Sequence, residues 1–218
     1  MAQVVMDGIL IGDAETKNIM TKSSLPVGGY SVNPYVGCTH ACKYCYASFM
    51  KRFTGHTEEW GTFLDVKHWP EIKNAEKYAG QRVVIGSVTD GYNPQEEKFG
   101  NTRKLLEQLR GSGADILICT KSDLVVRDID LIKELGQVTV SWSINTLDEG
   151  FKNDMDSAVS IERRIAAMKK VYNAGIRTVC FVSPVFPAIT DFEAIFERVK
   201  NQCDLFWLEN LNLRGGFK

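Results

Sequence analysis

No apolar run in the sequence approaches the ~20 residues that a helix needs to cross a bilayer. The densest stretches, such as Ile116-Leu117-Ile118-Cys119, are strand-sized, so no membrane partner is expected. Charge of one sign is also lacking: 26 Lys+Arg stand against 27 Asp+Glu, a net charge of -1. That excludes a dominant electrostatic pull towards nucleic acid or anionic lipid, though not a local basic patch. Met1 to Ile11 has no basic start and no long apolar stretch, and carries Asp7, so it does not read as a signal peptide. A cytoplasmic, reducing setting follows, in which the six cysteines are thiols or metal ligands rather than disulfides. Histidine is scarce, with only three in 218 residues, and no second C-x2-4-C pair exists, so a four-ligand structural zinc site is poorly supplied. No low-complexity tract is present.

What is there has ordinary globular proportions, 44% hydrophobic and 24% charged, which rules out wholesale disorder. Residues 1–29 read as a lead-in extension, polar from Asp13 to Ser24 and broken at Pro26 and Gly28-Gly29. Residues 30–218 read as one domain in which strands and helices alternate. Strands are expected over 30–36, 82–88, 114–119, 138–144, 176–182 and 204–208. Helices are expected over 41–52, 101–110, 127–135, 160–174 and 190–201, the last opened by a capping box of Thr190 and Glu193. Residues 53–81 look like a packed connection. Six strands with five intervening helices imply an α/β fold with a parallel sheet and right-handed crossovers. Periodicity alone leaves a barrel and a doubly wound open sheet both possible; in either, ligands gather at the C-terminal ends of the strands. No helix follows the sixth strand, so either the sheet ends there or the chain is a fragment of something longer.

Cys38, Cys42 and Cys45 form C-x3-C-x2-C in the loop after the first strand of this domain, on the face where βα proteins keep their chemistry. An electron-transfer cluster wants four thiolates. Three close thiolates with no fourth suggest a 4Fe-4S cluster with one iron left open to a ligand. Cys119 and Cys180 read as small buried hydrophobes.

This spacing, with Tyr44 before the third cysteine, resembles the signature of the radical S-adenosylmethionine (radical SAM) superfamily. Asn33-Pro34-Tyr35-Val36-Gly37-Cys38 through Cys45-Tyr46-Ala47 is similar to its spore photoproduct lyase-like branch. So are Ser87-Val88-Thr89-Asp90 with Tyr92 and Pro94, Thr120-Lys121-Ser122 with Arg127-Asp128, and Ser141 to Thr146. Within that branch the similarity is greatest to the radical SAM mobile-pair B group, whose name implies a paired radical SAM partner protein. The resemblance implies a six-stranded (β/α)6 partial TIM barrel, here without its final helix. It implies a 4Fe-4S cluster on Cys38, Cys42 and Cys45, with S-adenosylmethionine (SAM) on the open iron. One electron from an external flavodoxin- or ferredoxin-like donor then yields methionine and a 5′-deoxyadenosyl radical, which takes hydrogen from an unknown substrate.

By the same resemblance Tyr44 lies against the adenine, and Thr89 and Asp90 meet the methionine amine. Lys121 meets its carboxylate or the ribose, and Ser143 the ribose. Period-2 alternation sets Ser141, Ser143 and Asn145 on one side of their strand and Trp142 and Ile144 on the other. Tyr35, Tyr46, Tyr92, Glu209, Asn210 and Asn212 are substrate-side candidates. His40, His56 and His68 read as surface or structural residues, and Lys51-Arg52 as a solvated helix end. One departure matters. Where spore photoproduct lyases carry a hydrogen-donating cysteine this chain has Ser87, whose O–H bond is too strong for that role. Repair of a nucleic-acid lesion remains an alternative, as does a passive iron–sulfur or partner-binding module.

Overall fold

A computed structural model describes residues 3–23 and 28–211; Asn212 lies outside them. The chain begins with β1 (Val4–Met6), β2 (Ile9–Glu15) and β3 (Thr21–Lys22). The strand expected over 30–36 is split into β4 (Tyr30–Val32) and β5 (Tyr35–Val36), because Pro34 has no N–H to give a ladder. The helix expected over 41–52 starts late. It is a 3-10 helix, Tyr46–Phe53, and the cysteine run before it is a series of turns with Ala41 at φ 48°, a value no α-helical residue adopts. Then comes β6 (Phe63–His68), inside the stretch read as a connection. Its first four residues are all buried, so it shows no alternation by which to recognise it.

The remaining elements follow the expected rhythm: β7 (Arg82–Ile85), α1 (Glu96–Phe99), α2 (Asn101–Gln108), β8 (Asp115–Thr120), α3 (Ile129–Leu135), β9 (Val138–Ser143), α4 (Glu149–Met155), α5 (Ile161–Asn173), β10 (Arg177–Val185), α6 (Phe192–Val199) and β11 (Leu205–Asn210). The short helices α1 and α4 are additions to the expected set. At α6 the cap is Asp191, which accepts from the Ala194 amide at 2.9 Å, not Thr190. The Thr190 hydroxyl is used elsewhere, donating to the Asn145 carbonyl and accepting from the Phe186 amide, both at 2.9 Å.

The larger sheet runs β11-β10-β9-β8-β7-β4-β3. From β4 to β11 every neighbouring pair in it is parallel and the strands lie in chain order; β3 joins antiparallel to β4. The fold is therefore α/β with a parallel sheet. A second sheet, β1-β2-β6-β5, ties the N-terminal residues to β6 through a parallel β2–β6 pair. The register puts Val32, Ile85, Ile118, Val140 and Trp142 in a buried layer with Leu105 and Leu106 of α2, Leu131 and Ile132 of α3, and Ile165 and Met168 of α5. Fully burying one such side chain contributes about 2 kcal/mol. The opposite face carries Leu117, Cys119, Thr139, Ser141, Ser143 and Phe181, most of them only half-buried. This is the alternation expected around Trp142. Among the described residues no helix is long and apolar enough to cross a membrane.

Candidate functional site

The cysteine loop opens at Gly37, whose φ of 86° only glycine adopts without strain. Tight turns follow: the Ala41 amide donates to the Cys38 carbonyl at 3.3 Å, and the Cys45 amide to the Cys42 carbonyl at 3.1 Å. They hold the three thiols on one short loop, Cys38 buried and Cys42 and Cys45 half-buried. Burial, helped by the Asp90 carboxylate and Cys42, pushes the Cys38 thiol well above its usual range. Burial pushes Cys42 up to about 11, with Lys121 pulling the other way. Both are thiols at neutral pH until a metal displaces the proton. Among the described residues no three His, Cys, Asp or Glu side chains converge as the shell of a single metal ion. An iron–sulfur cube gives each thiolate an iron of its own, so three sulfurs spread along one loop fit a cube with one iron left open.

Two loops brace this segment. On one side lies the loop after β7. Thr89 donates its hydroxyl to the Gly37 carbonyl, and Thr39 donates to the Gln95 side chain at 2.6 Å. Asp90 is the hub. Its buried carboxylate receives the His40 ring nitrogen Nε2 at 2.9 Å, the Tyr92 amide at 2.8 Å, the Thr120 hydroxyl at 2.9 Å and the Lys121 amide at 2.7 Å. Burial alone would raise its pKa, but His40 and then the two amides hold it below the carboxylate range. The expected contact set thus places Thr89 and Asp90 against the cysteine loop itself. His40, read from the sequence as a surface or structural residue, stands inside the site, 2% exposed, and its Nδ1 has no hydrogen-bond partner.

On the other side lie the residues after α4. The Lys43 amide donates to the Met155 carbonyl at 2.9 Å, and the Ser157 amide to the His40 carbonyl at 2.8 Å. The Tyr44 hydroxyl donates to Asp156 at 3.0 Å. Asp156 also receives the Arg164 guanidinium at 2.7 Å and the Ala158 amide at 3.0 Å, with Lys152 at 3.5 Å. Burial acts to raise the Asp156 pKa, but Arg164, Lys121 and Lys152 outweigh it and keep the carboxyl low. Arg164, which has no exposed surface, reaches on to the Ser143 carbonyl at 3.2 Å. Lys121 places its ammonium 5.6 Å from the centre of the Tyr44 ring. Burial and Arg164 work against its charge, but the Asp156 and Asp90 carboxylates, and Cys42 once it is ionised, act the other way and raise its pKa, so it stays protonated.

Tyr44, Asp90, Lys121 and the cysteines are thus brought together, and Ser143 is joined to them through Arg164. Tyr46, at the start of its 3-10 helix, donates to the Ser87 carbonyl after β7, and Glu209, near the end of β11, accepts from the Ser183 hydroxyl. Tyr35 and Tyr92 do not face a substrate. Both are buried and give their hydroxyls to Glu96 and Asp128, which Arg127 bridges. Cys180 is buried as expected, but Cys119 is half-buried on the open face of the sheet, its thiol pushed up to about 12 by burial and Asp90. Sequence reasoning missed Lys152, Asp156 and Arg164. Only Arg164 left a signal, sitting among Ile161, Ile165, Met168 and Val171 on the apolar side of a helix.

A family model described as the radical SAM superfamily matches residues 32–199. An uncharacterised protein of Methanocaldococcus jannaschii is 36% identical over 203 residues, covering 92% of this chain and 77% of that protein. An uncharacterised protein of Acidianus two-tailed virus is 34% identical over 172 residues, covering 73% of this chain and 56% of the viral protein. One from Mycobacterium tuberculosis H37Rv is 29% identical, and the chain spans 58% of its length. Among solved structures, a spore photoproduct lyase variant with bound AdoMet and dinucleoside spore photoproduct superposes with a TM-score of 0.70 at 18% identity, covering 94% of this chain and 63% of the lyase. Streptococcus suis SuiB bound to S-adenosylmethionine gives 0.56 at 17% identity, covering 96% and 43%. At these identities the two structures speak for the fold.

Proposed function

The chain belongs to the radical SAM superfamily, and from that premise we propose how its own residues serve the enzyme. Radical SAM enzymes use a 4Fe-4S cluster and SAM. When bound, that pair supplies one-electron cleavage of SAM to methionine and a 5′-deoxyadenosyl radical that takes a hydrogen atom from substrate. Cys38, Cys42 and Cys45 hold three irons. The protonated Lys121 pairs with the methionine carboxylate. Thr89 and Asp90 shape the loop that receives the methionine amine. Tyr44, its hydroxyl anchored on Asp156, lies against the adenine, and Ser143 meets the ribose. The six parallel strands curl as a partial barrel, with the half-buried serine face inward and the cluster loop at its mouth. Radical chemistry needs water kept away, and the braces on both sides of the cysteine loop serve that.

The observation that carries this reading is the tri-cysteine loop pinned between Asp90 and Asp156, with a charged lysine beside it. The substrate stays open. Ser87 hydrogen-bonds Ser31 at 2.5 Å and accepts from the Asn33 side chain at 3.0 Å, and its O–H bond is too strong to hand a hydrogen to a carbon radical, which speaks against spore-photoproduct repair by the lyase route. The test is anaerobic reconstitution with iron and sulfide, then SAM and dithionite, with 5′-deoxyadenosine followed by chromatography. The wild type should form it and Cys42→Ala should not. Iron retained without SAM cleavage would favour a passive cluster module. Uptake of zinc with rejection of iron would sink the reading.

A further inference from the structure

We infer that the helix leading out from the third cysteine is the docking surface for a small acidic redox protein that delivers the electron. This rests on the radical SAM reading above. The 3-10 helix Tyr46–Phe53 begins directly after Cys45, and Tyr46 ties its start to the Ser87 carbonyl inside the site. The rest of it runs out to the surface. It exposes Phe49 and Phe53 by 44% and 67%, and the Tyr46 ring at its start by 45%. Aromatic side chains of that size in water are characteristic of interface centres.

All the charge on the helix is positive. Lys51 and Arg52 occupy its last turn, no acidic residue lies in its first, and the exposed Lys43 precedes it. The Arg52 guanidinium stacks on Phe53 at 4.6 Å and Phe49 at 5.4 Å, and the Lys51 ammonium is fixed by the Thr57 carbonyl at 2.9 Å. The result is a plate of rings and cations in which Phe49, Lys51 and Arg52 line an open cleft of about 540 Å3. The carboxylates of Glu58 and Asp65, beyond the helix, are turned onto His56. A partner fitting this plate needs an apolar centre rimmed by carboxylates. A nucleic-acid strand would instead ask for a longer track of cations, which a helix with two basic residues in a chain of net charge -1 does not supply. In the step served, the reduced donor loses one electron and the cluster gains it, and no bond is made or broken.

The test compares two reductants on reconstituted enzyme, Arg52→Glu and Lys51→Glu/Arg52→Glu. Dithionite needs no docking, so it should support equal 5′-deoxyadenosine formation in all three. Formation driven by an acidic flavodoxin with its reductase should fall about tenfold in the double variant, and added salt should lower the wild-type rate towards it. Flavodoxin affinity is measured by calorimetry on the same proteins, so docking is read whether or not SAM is cleaved. Weaker binding by the variants supports the inference. Equal affinity in all three, or none in the wild type, overturns it, as does a single-stranded oligonucleotide that binds this plate where flavodoxin does not. Retained flavodoxin binding without dithionite-driven product would sink the enzyme reading and leave the docking surface standing.

Discussion

Arg164 and Asp156 are a fully buried ion pair placed directly behind the cluster loop. Such a pair is weakly stabilising as a whole but costly to break, because the survivor keeps an uncompensated charge. Asp156→Asn should therefore cost about 3–5 kcal/mol in urea unfolding at pH 7. The folded carboxyl titrates below its unfolded value, so its contribution is complete above about pH 4 and is lost as pH falls through the folded pKa. The wild type should lose stability on acidification below about pH 4, and Asp156→Asn should show a shallower acid limb. A steep, unchanged limb in the variant would assign the acid sensitivity to other groups. At this scale the three cysteines were legible because spacing alone marks them. Asp156 was not, since an aspartate beside Asp154 and Lys152 reads as surface until the fold turns it inward.

Gly37 shows how an element can depend on one backbone angle. It joins β5 to the cysteine loop at positive φ, and an added Cβ would run into the Phe63 carbonyl of β6. Gly37→Ala should destabilise by about 2 kcal/mol or more, from the left-handed strain plus the displaced strand. Its signature would be a lowered iron content after reconstitution, beyond the loss of unfolding midpoint; full iron loading would show that the loop does not need this turn. The core strands of the parallel sheet were readable from their apolar runs and the glycines after their helices. β6 was hidden because it is covered on both faces, and β4–β5 looked like one strand because a proline break inside an extended stretch leaves the apolar pattern intact. The late start of the first helix follows from the backbone before it: turns, with Ala41 at positive φ, and not an α-helix, carry the three thiols.

Across the whole molecule, protection should follow position in the large sheet. β8 and β9 are hydrogen-bonded on both edges and lie over the largest buried cluster, whereas β1 and β3 are short and β11 has mostly exposed side chains. Native-state hydrogen exchange should find the slowest amides in β8 and β9 and the fastest in β1, β3 and β11. Uniform protection would mean that the two sheets open only together. The α/β class and the parallel sense of the strands were legible because each βα unit is local in the chain, whereas their order was not, since the same periodicity also fits a doubly wound sheet. The second sheet was not, because its central pair joins β2 to β6, with Leu10 opposite Phe63, and no local pattern announces a partner so distant.

That arrangement also sets a timetable for synthesis. As the chain leaves the ribosome, each new strand from β7 to β11 meets an edge that has already been made, so the large sheet grows by accretion. β2 emerges before β6, its Ile9-Leu10-Ile11 segment ready to pair, and must wait for it. For that interval β2 can have β1 on one side, while its other edge stays unpaired until β6 is made.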